Sequence, residues 1–212
     1  MLRVTEIFAS IQGETSHAGL PFSFVRLTGC NLRCRYCDTT YAYEGGEEFP
    51  LEEVVARVEL FGIPRLCVTG GEPLLQPEAP ALVAAFLDRR YTVLVETNGT
   101  VPLSSLDRRA VKIMDVKCPD SGEHRRMIWE NIASLSPRDE MKFVIATRAD
   151  YEYAKEVLAK YRTGEGFHVL FSPAFGFLAP EKLAGWMIGD RLDARFQLQL
   201  HKIVWGPDRR GV

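Results

Sequence analysis

Three cysteines, Cys30, Cys34 and Cys37, fall within eight consecutive positions, in the stretch Gly29-Cys30-Asn31-Leu32-Arg33-Cys34-Arg35-Tyr36-Cys37-Asp38-Thr39. Thiolates at the spacing C-x3-C-x2-C are soft ligands for zinc or for an iron-sulfur cluster. Structural zinc sites and electron-transfer clusters are ordinarily closed by four protein ligands, and this stretch supplies three. A cluster held by three cysteines keeps one iron open to a small chelating molecule. The alternative is a zinc loop completed by a distant Cys118 or a histidine. Cys67 sits inside an apolar run and reads as a core residue.

Three further polar groupings follow apolar runs. In Thr69-Gly70-Gly71-Glu72-Pro73 the glycines let the backbone approach a ligand, and Glu72 offers a carboxylate to a cationic amine. In Glu96-Thr97-Asn98-Gly99, Glu96 and Asn98 offer hydrogen bonds to hydroxyls or to a polar substrate, although Asn-Gly is also a common turn dipeptide. In Asp115-Val116-Lys117, Lys117 suits a carboxylate or a hydroxyl, while Asp115 reads equally well as a satisfied polar residue. No residue stands out as a general acid or base.

These groupings need a frame that brings strand ends together. Strands are expected over 3–10, 24–28, 65–69, 92–97, 111–117, 141–147 and 168–172, several of them almost wholly apolar, as in strands buried on both faces. Amphipathic helices are expected over 51–61, 77–90, 124–135 and 149–161, whereas 101–109 is too short and polar for a crossover helix. The alternation predicts an α/β fold, an incomplete TIM-like β/α barrel with about six parallel strands and reduced helices, whose ligands collect at the carboxyl ends of the strands. The 212 residues are expected to form a single domain, 1–212.

Composition agrees with a soluble globular protein. Hydrophobic residues make up 46% and charged residues 25%, the net charge is -2, and no basic stripe calls for nucleic acid. No apolar run approaches a membrane span and the N-terminus lacks a secretory pattern, so a cytoplasmic protein without a membrane partner is expected. Five cysteines, an odd number with three crowded together, favour metal ligation over a disulfide framework.

The cysteine stretch, with an aromatic residue just before the last cysteine, resembles the signature of the radical S-adenosylmethionine (SAM) superfamily, and the Gly-Gly-Glu-Pro turn is similar to the segment that contacts the methionyl amine of SAM there. The resemblance implies a [4Fe-4S] cluster on Cys30, Cys34 and Cys37, with SAM contacted by Tyr36, Gly70, Gly71, Glu72, Glu96, Asn98 and Lys117. Reductive cleavage of SAM then yields a 5'-deoxyadenosyl radical.

Two end segments narrow the resemblance. Glu6-Ile7-Phe8-Ala9-Ser10-Ile11-Gln12-Gly13-Glu14 looks like the E-x-F-x-S-I-Q-G-E opening of the 7-carboxy-7-deazaguanine synthase family, and Leu198-Gln199-Leu200-His201-Lys202-Ile203-Val204-Trp205 is similar to its L-Q-x-H-K-x-x-W ending. That family converts 6-carboxy-5,6,7,8-tetrahydropterin into 7-carboxy-7-deazaguanine and ammonia, in the biosynthesis of queuosine-type 7-deazapurines. The implied chemistry is hydrogen abstraction at C6, ring contraction, return of the hydrogen and loss of ammonia. Gln12, Gly13, Glu14, Arg26, Thr69, His201 and Lys202 are then expected to bind the pterin, the N-terminal strand and the C-terminal tail completing the substrate site. Thr39 is expected to ligate Mg2+, flavodoxin or a similar low-potential donor to supply the electron, and the chain to form a homodimer. The rival readings are a glycyl-radical-enzyme activase and a noncatalytic iron-sulfur binding module. The Gln12-Gly13-Glu14 opening and the His201-Lys202 tail argue against the first, and the Gly-Gly-Glu-Pro turn and the substrate-like polar strand ends, needless in an electron carrier, against the second.

Overall fold

Runs of apolar and β-branched residues lie side by side as one nine-stranded sheet in a computed structural model that describes residues 1–161 and 166–212. The strands are β1 (Leu2–Ile11), β2 (Pro21–Leu27), β3 (Glu47–Phe49), β4 (Arg65–Gly70), β5 (Thr92–Thr97), β6 (Val111–Val116), β7 (Glu140–Ile145), β8 (His168–Pro173) and β9 (Arg195–Phe196). Their order is β3-β1-β2-β4-β5-β6-β7-β8-β9. Neighbours from β2 to β9 are parallel, while β1 runs antiparallel to β2 and β3. β3 and β9 form the two edges, so the barrel stays open between them. The expected parallel strands are β2, β4, β5, β6, β7 and β8, to which the short β9 adds a seventh.

Side chains alternate between the two faces of each strand. The outer face carries residues such as Val25, Val68, Val95, Met114 and Phe143, packed under helices α1 (Leu51–Glu59), α2 (Ala79–Asp88), α3 (Arg148–Tyr161) and α4 (Pro180–Gly189). Helix α2 starts with Pro80 in its first turn, where no donor is lost, and buries Leu82, Val83, Phe86 and Leu87 along one face. The inner face forms a separate cluster of Phe8, Phe22, Phe24, Cys67, Leu94, Val111 and Ile113, which fills the lumen. Cys67 is therefore a core residue. The β1–β2 hairpin closes the lower end: Ser16 N donates to Glu140 Oε1 at 3.0 Å, and His17 meets the edge of Phe22.

The helix expected over 124–135 is a correction. The segment forms two 3-10 turns, His124–Arg126 and Trp129–Ser134, with Ile128 between them in extended conformation. The Asn131 side chain is the physical reason, because it clamps a neighbouring stretch of backbone: Oδ1 accepts from Leu103 N at 3.0 Å, and Nδ2 donates to Gly99 O at 3.1 Å and Val101 O at 2.9 Å. Helix α4, the short helix α5 (Leu200–Trp205) and strands β3 and β9 were not anticipated. None of the helices described is long and apolar enough to cross a membrane.

On the outer face of β6, Lys112 Nζ pairs with Asp139 Oδ2 at 2.9 Å, their side chains 5% and 0% exposed. Asp139 also accepts from Lys112 N and from the Ser136 N and Oγ, so it ties the β6–β7 connection to the sheet. Asp139→Ala strands the lysine in the interior and is expected to cost about 3–5 kcal/mol, read as a lowered urea midpoint.

Candidate active site

The cysteine loop leaves β2 at Gly29, whose φ of +104° lies in the region that favours glycine. It is held against three strand ends. Glu72 N donates to Gly29 O at 2.8 Å, Asn31 Nδ2 to Thr100 Oγ1 at 2.7 Å, and Arg35 N to Ser121 O at 3.1 Å. A Cβ on Gly71 would lie 2.3 Å from Gly29 O and 2.5 Å from the Cys30 Cβ, so this glycine is needed for the turn after β4 to press against the cysteine loop. Cys30, Cys34 and Cys37 are free, half-buried thiols facing one cavity of about 750 Å³. That volume lies within the range of small-molecule sites.

The cavity floor follows from strand alternation. Two residues beyond the apolar lumen, each inner face turns polar: Phe24 is followed by Arg26, Cys67 by Thr69, Leu94 by Glu96 and Ile113 by Asp115. These groups bond to one another. Arg26 Nε donates to Glu6 Oε1 at 2.7 Å, and the Tyr41 hydroxyl donates to the same oxygen at 2.9 Å. Thr69 Oγ1 donates to Glu96 Oε2 at 2.8 Å, and Lys117 Nζ pairs with Asp115 Oδ2 at 3.1 Å. Lys142 Nζ, on the inner face of β7, pairs with Glu14 and lies 3.9 Å from Asp115 Oδ2.

Gln12, Gly13 and Glu14 enter the cavity from the hairpin, and the C-terminal tail reaches them there. Leu200 N donates to Gly13 O at 3.1 Å, and a Cβ on Gly13 would sit 2.3 Å from His201 Nδ1, so the imidazole packs on bare backbone. Gln199 Nε2 bridges Glu14 Oε1 (2.7 Å) and Asp38 Oδ2 (2.9 Å), while Lys202 Nζ donates to Asp38 Oδ2 at 2.5 Å. The Arg210 guanidinium lies 4.1 Å above the centre of the Tyr41 ring. Tyr36 lines the wall beside the cysteines, its hydroxyl donating to Val144 O at 3.2 Å and its ring meeting the edge of Phe177.

Every residue expected to contact the cluster, SAM, Mg2+ or the pterin lines this cavity except Glu72. Glu72 is 0% exposed and its oxygens are taken by Leu74 N, Asn98 N and Thr97 Oγ1. Its carboxylate fastens the ends of β4 and β5. Cys118 lies in the outer core, donating to Val116 O, and does not reach the cavity. Glu6, Asp38, Tyr41, Lys142, Gln199 and Arg210 were not singled out. Lys142 had a legible signal, a lysine at every-second-residue spacing from Glu140 and Val144 within an apolar strand.

The charges are strongly biased. Burial opposes ionisation of Glu14 and Asp38 repels it, but Lys142, helped by His201, outweighs both and lowers its pKa to about 2. Lys142 is correspondingly raised, its own burial being more than offset by Glu14 and Asp115. Burial lifts the Cys34 thiol to about 11 and also raises Cys30, with the Lys117 ammonium pulling both the other way.

Comparison with known proteins agrees with this architecture. Residues 24–172 match the family model of the radical SAM superfamily, so the chain is a radical SAM enzyme. A 7-carboxy-7-deazaguanine synthase of Chlorobaculum tepidum is 48% identical over 214 residues, spanning 100% of this chain and 97% of its own length. Another from Koribacter versatilis is 42% identical over 226 residues and 100% of both chains. The chain belongs to the 7-carboxy-7-deazaguanine synthase family. The crystal structure of QueE from Escherichia coli, 20% identical, shares the fold with a TM-score of 0.78 over 94% of each chain.

Membership implies an iron-sulfur cluster and SAM. Among the described residues no three His, Cys, Asp or Glu side chains already gather into a metal-binding group. The donor set nevertheless fits a three-thiolate cluster: three free cysteines line the one cavity, Leu32 N donates to Cys30 Sγ at 3.4 Å, and Cys118, in the outer core, is no fourth ligand. Thr39 Oγ1 and Asp38 Oδ1, 3.0 Å apart on the cavity wall, are oxygen donors of the kind a hard cation takes.

Lys142 gives a pH-dependent test. A carboxyl whose pKa is lowered on folding adds stability above its unfolded value of 4.5, and that contribution drains away as pH falls toward 2. In Lys142→Met the unpaired buried carboxyl is raised instead, a penalty present at neutral pH and relieved by acid. The variant is expected to lose about 3 kcal/mol at pH 7 and clearly less at pH 4, in urea unfolding at both. An equal loss at the two pH values would show that Glu14 is not the group Lys142 holds.

Proposed function

We propose that the chain converts 6-carboxy-5,6,7,8-tetrahydropterin into 7-carboxy-7-deazaguanine and ammonia, as a step toward queuosine-type 7-deazapurines. The observation that carries this reading is the meeting of the cysteine loop, the Gln12–Glu14 hairpin and the Gln199–Lys202 tail around one cavity. A closed electron-transfer module has no use for such a substrate chamber. Residues 1–212 act as one domain in this reading, the hairpin and tail completing the pterin site. The family relatives, matched over the full chain at 48% and 42% identity, carry the same activity in their names.

Cys30, Cys34 and Cys37 would hold the [4Fe-4S] cluster, three thiolates leaving room for SAM to bind to it. When bound and reduced by a low-potential donor such as flavodoxin, this pair supplies the radical that takes a hydrogen from the substrate. The protein contributes placement. Gly70 and Gly71 present backbone to the methionyl end of SAM, Tyr36 packs beside its adenine, and Glu96 and Lys117 remain the polar candidates around it, the Asn98 amide being turned toward the cysteine loop instead. Glu14, kept ionised by Lys142, accepts from the donor edge of the pterin ring, and Gln12 and Thr69 add hydrogen bonds. Arg26, already oriented by Glu6 and Tyr41, and His201 face the substrate carboxylate, with Lys202 holding Asp38 beside them. Thr39 would offer its hydroxyl to Mg2+, a hard cation that commonly takes few protein ligands. The apolar lumen below and the tail above restrict water around the reacting centre.

The deciding experiment is anaerobic reconstitution with iron and sulfide, then reduction in the presence of SAM, Mg2+ and carboxytetrahydropterin. The expected product is the carboxydeazaguanine, detected by mass spectrometry. SAM cleavage without that product would sink the substrate assignment. Cys34→Ala is expected to abolish turnover with loss of the cluster absorbance, whereas Thr39→Ala chiefly weakens the dependence on Mg2+. Full activity in Cys34→Ala would overturn the cluster assignment.

A further inference from the structure

Asn98 lines the cavity, yet its side chain is already committed. Its backbone N–H donates to Glu72 Oε2 at 2.6 Å, which fixes the end of β5. Its Oδ1 accepts from Thr100 N at 3.0 Å and from Thr100 Oγ1 at 2.7 Å. A flipped amide would set an NH2 group against the Thr100 N–H, so this contact determines which way the amide faces. Nδ2 is thereby turned toward the cysteine loop, 3.1 Å from Asn31 Oδ1 and 3.9 Å from Cys30 Sγ. Asn31 Nδ2 donates in turn to Thr100 Oγ1 at 2.7 Å, which closes a ring of three side chains. Asn98 is 6% exposed, so water offers little competition for its second N–H.

We propose that Asn98 is an N–H···S donor to Cys30 that raises the reduction potential of the cluster. The inference rests on the proposed three-cysteine site and deepens it. Reduction adds negative charge to the cluster, and that charge spreads onto the ligand sulfurs. A donor aimed at a sulfur stabilises the reduced form more than the oxidised one. The Leu32 N–H, 3.4 Å from the same sulfur, acts in the same sense, so Cys30 carries two donors. The ring with Thr100 and Asn31 holds the amide in place before the cluster forms, so little ordering remains to be done when it does. This assigns Asn98 to the cluster and leaves the ribose of SAM to other groups.

The test compares reconstituted wild-type enzyme with Asn98→Leu, similar in size but without the donor. Potentiometric titration followed by the EPR signal of the reduced cluster is run without SAM, and SAM binding is measured separately. Asn98→Leu is expected to retain its iron and sulfide, to shift the midpoint potential to more negative values, and to keep its affinity for SAM. An unchanged midpoint overturns the proposal, and an unchanged midpoint with weakened SAM binding makes Asn98 a SAM contact instead. If Asn98→Leu does not assemble, Thr100→Val decides the matter. It keeps the amide and removes its hydroxyl partner, so a smaller negative shift supports the proposal and no shift overturns it. A wild-type cluster that does not respond to SAM overturns the proposed site itself, and that failure shows before any substitution is made.

Discussion

Phe8, Phe22, Phe24, Cys67, Leu94, Val111 and Ile113 fill the lumen of the open barrel, and the polar floor of the cavity stands directly on them. Strand geometry forces this stacking, since residues two apart share a face and rise about 6–7 Å along the strand. A charged group one step above an apolar layer is shut off from solvent below and must find its partner sideways, on the next strand. The floor is accordingly a set of cross-strand bonds: Arg26 to Glu6, Thr69 to Glu96, and Lys142 between Glu14 and Asp115. Each fixes a side chain in one orientation before any ligand arrives, the condition under which polar groups in a cavity contribute most.

The glycines at the end of β4 do for the cysteine loop what the lumen does for the floor. Gly71 permits backbone contact with Gly29 and Cys30, and the buried Glu72 carboxylate collects donors from β5 and from its own turn. Burial raises the pKa of Glu72, while the hydrogen bonds it accepts, together with the Lys117 charge, work the other way. The loop that carries the thiols is thus clamped by the turn that follows β4.

The sequence made the parallel strands and the cysteine loop legible because both are local signals: apolar runs of strand length and a fixed spacing of thiols. Motifs at the two ends of the chain likewise pointed to one site, and the fold brings Gly13 and Leu200 into hydrogen-bonding contact. What stayed hidden depends on tertiary partners. The 124–135 segment has helical spacing, but Asn131 spends its side chain on the backbone of 99–103, a demand that no local pattern reveals. Lys142 resembles any lysine until the inner face of β7 is known, and Gln199 gains its place only when the tail meets both Glu14 and Asp38. Glu72 shows the same dependence: its motif is legible in the sequence, but the direction of its carboxylate is set by Thr97 and Asn98 at the end of the neighbouring strand.

The division of each inner face into an apolar step and a polar step has an evolutionary consequence. Phe24, Cys67, Leu94 and Ile113 pack the lumen, whereas Arg26, Thr69, Glu96 and Asp115 form the polar floor of the cavity. A change at the second set leaves the lumen intact but unpairs a neighbour, so groups such as Thr69 and Glu96 are expected to change together. The barrel is in that sense a keyboard, whose upper row is rewritten while the lower row holds the frame.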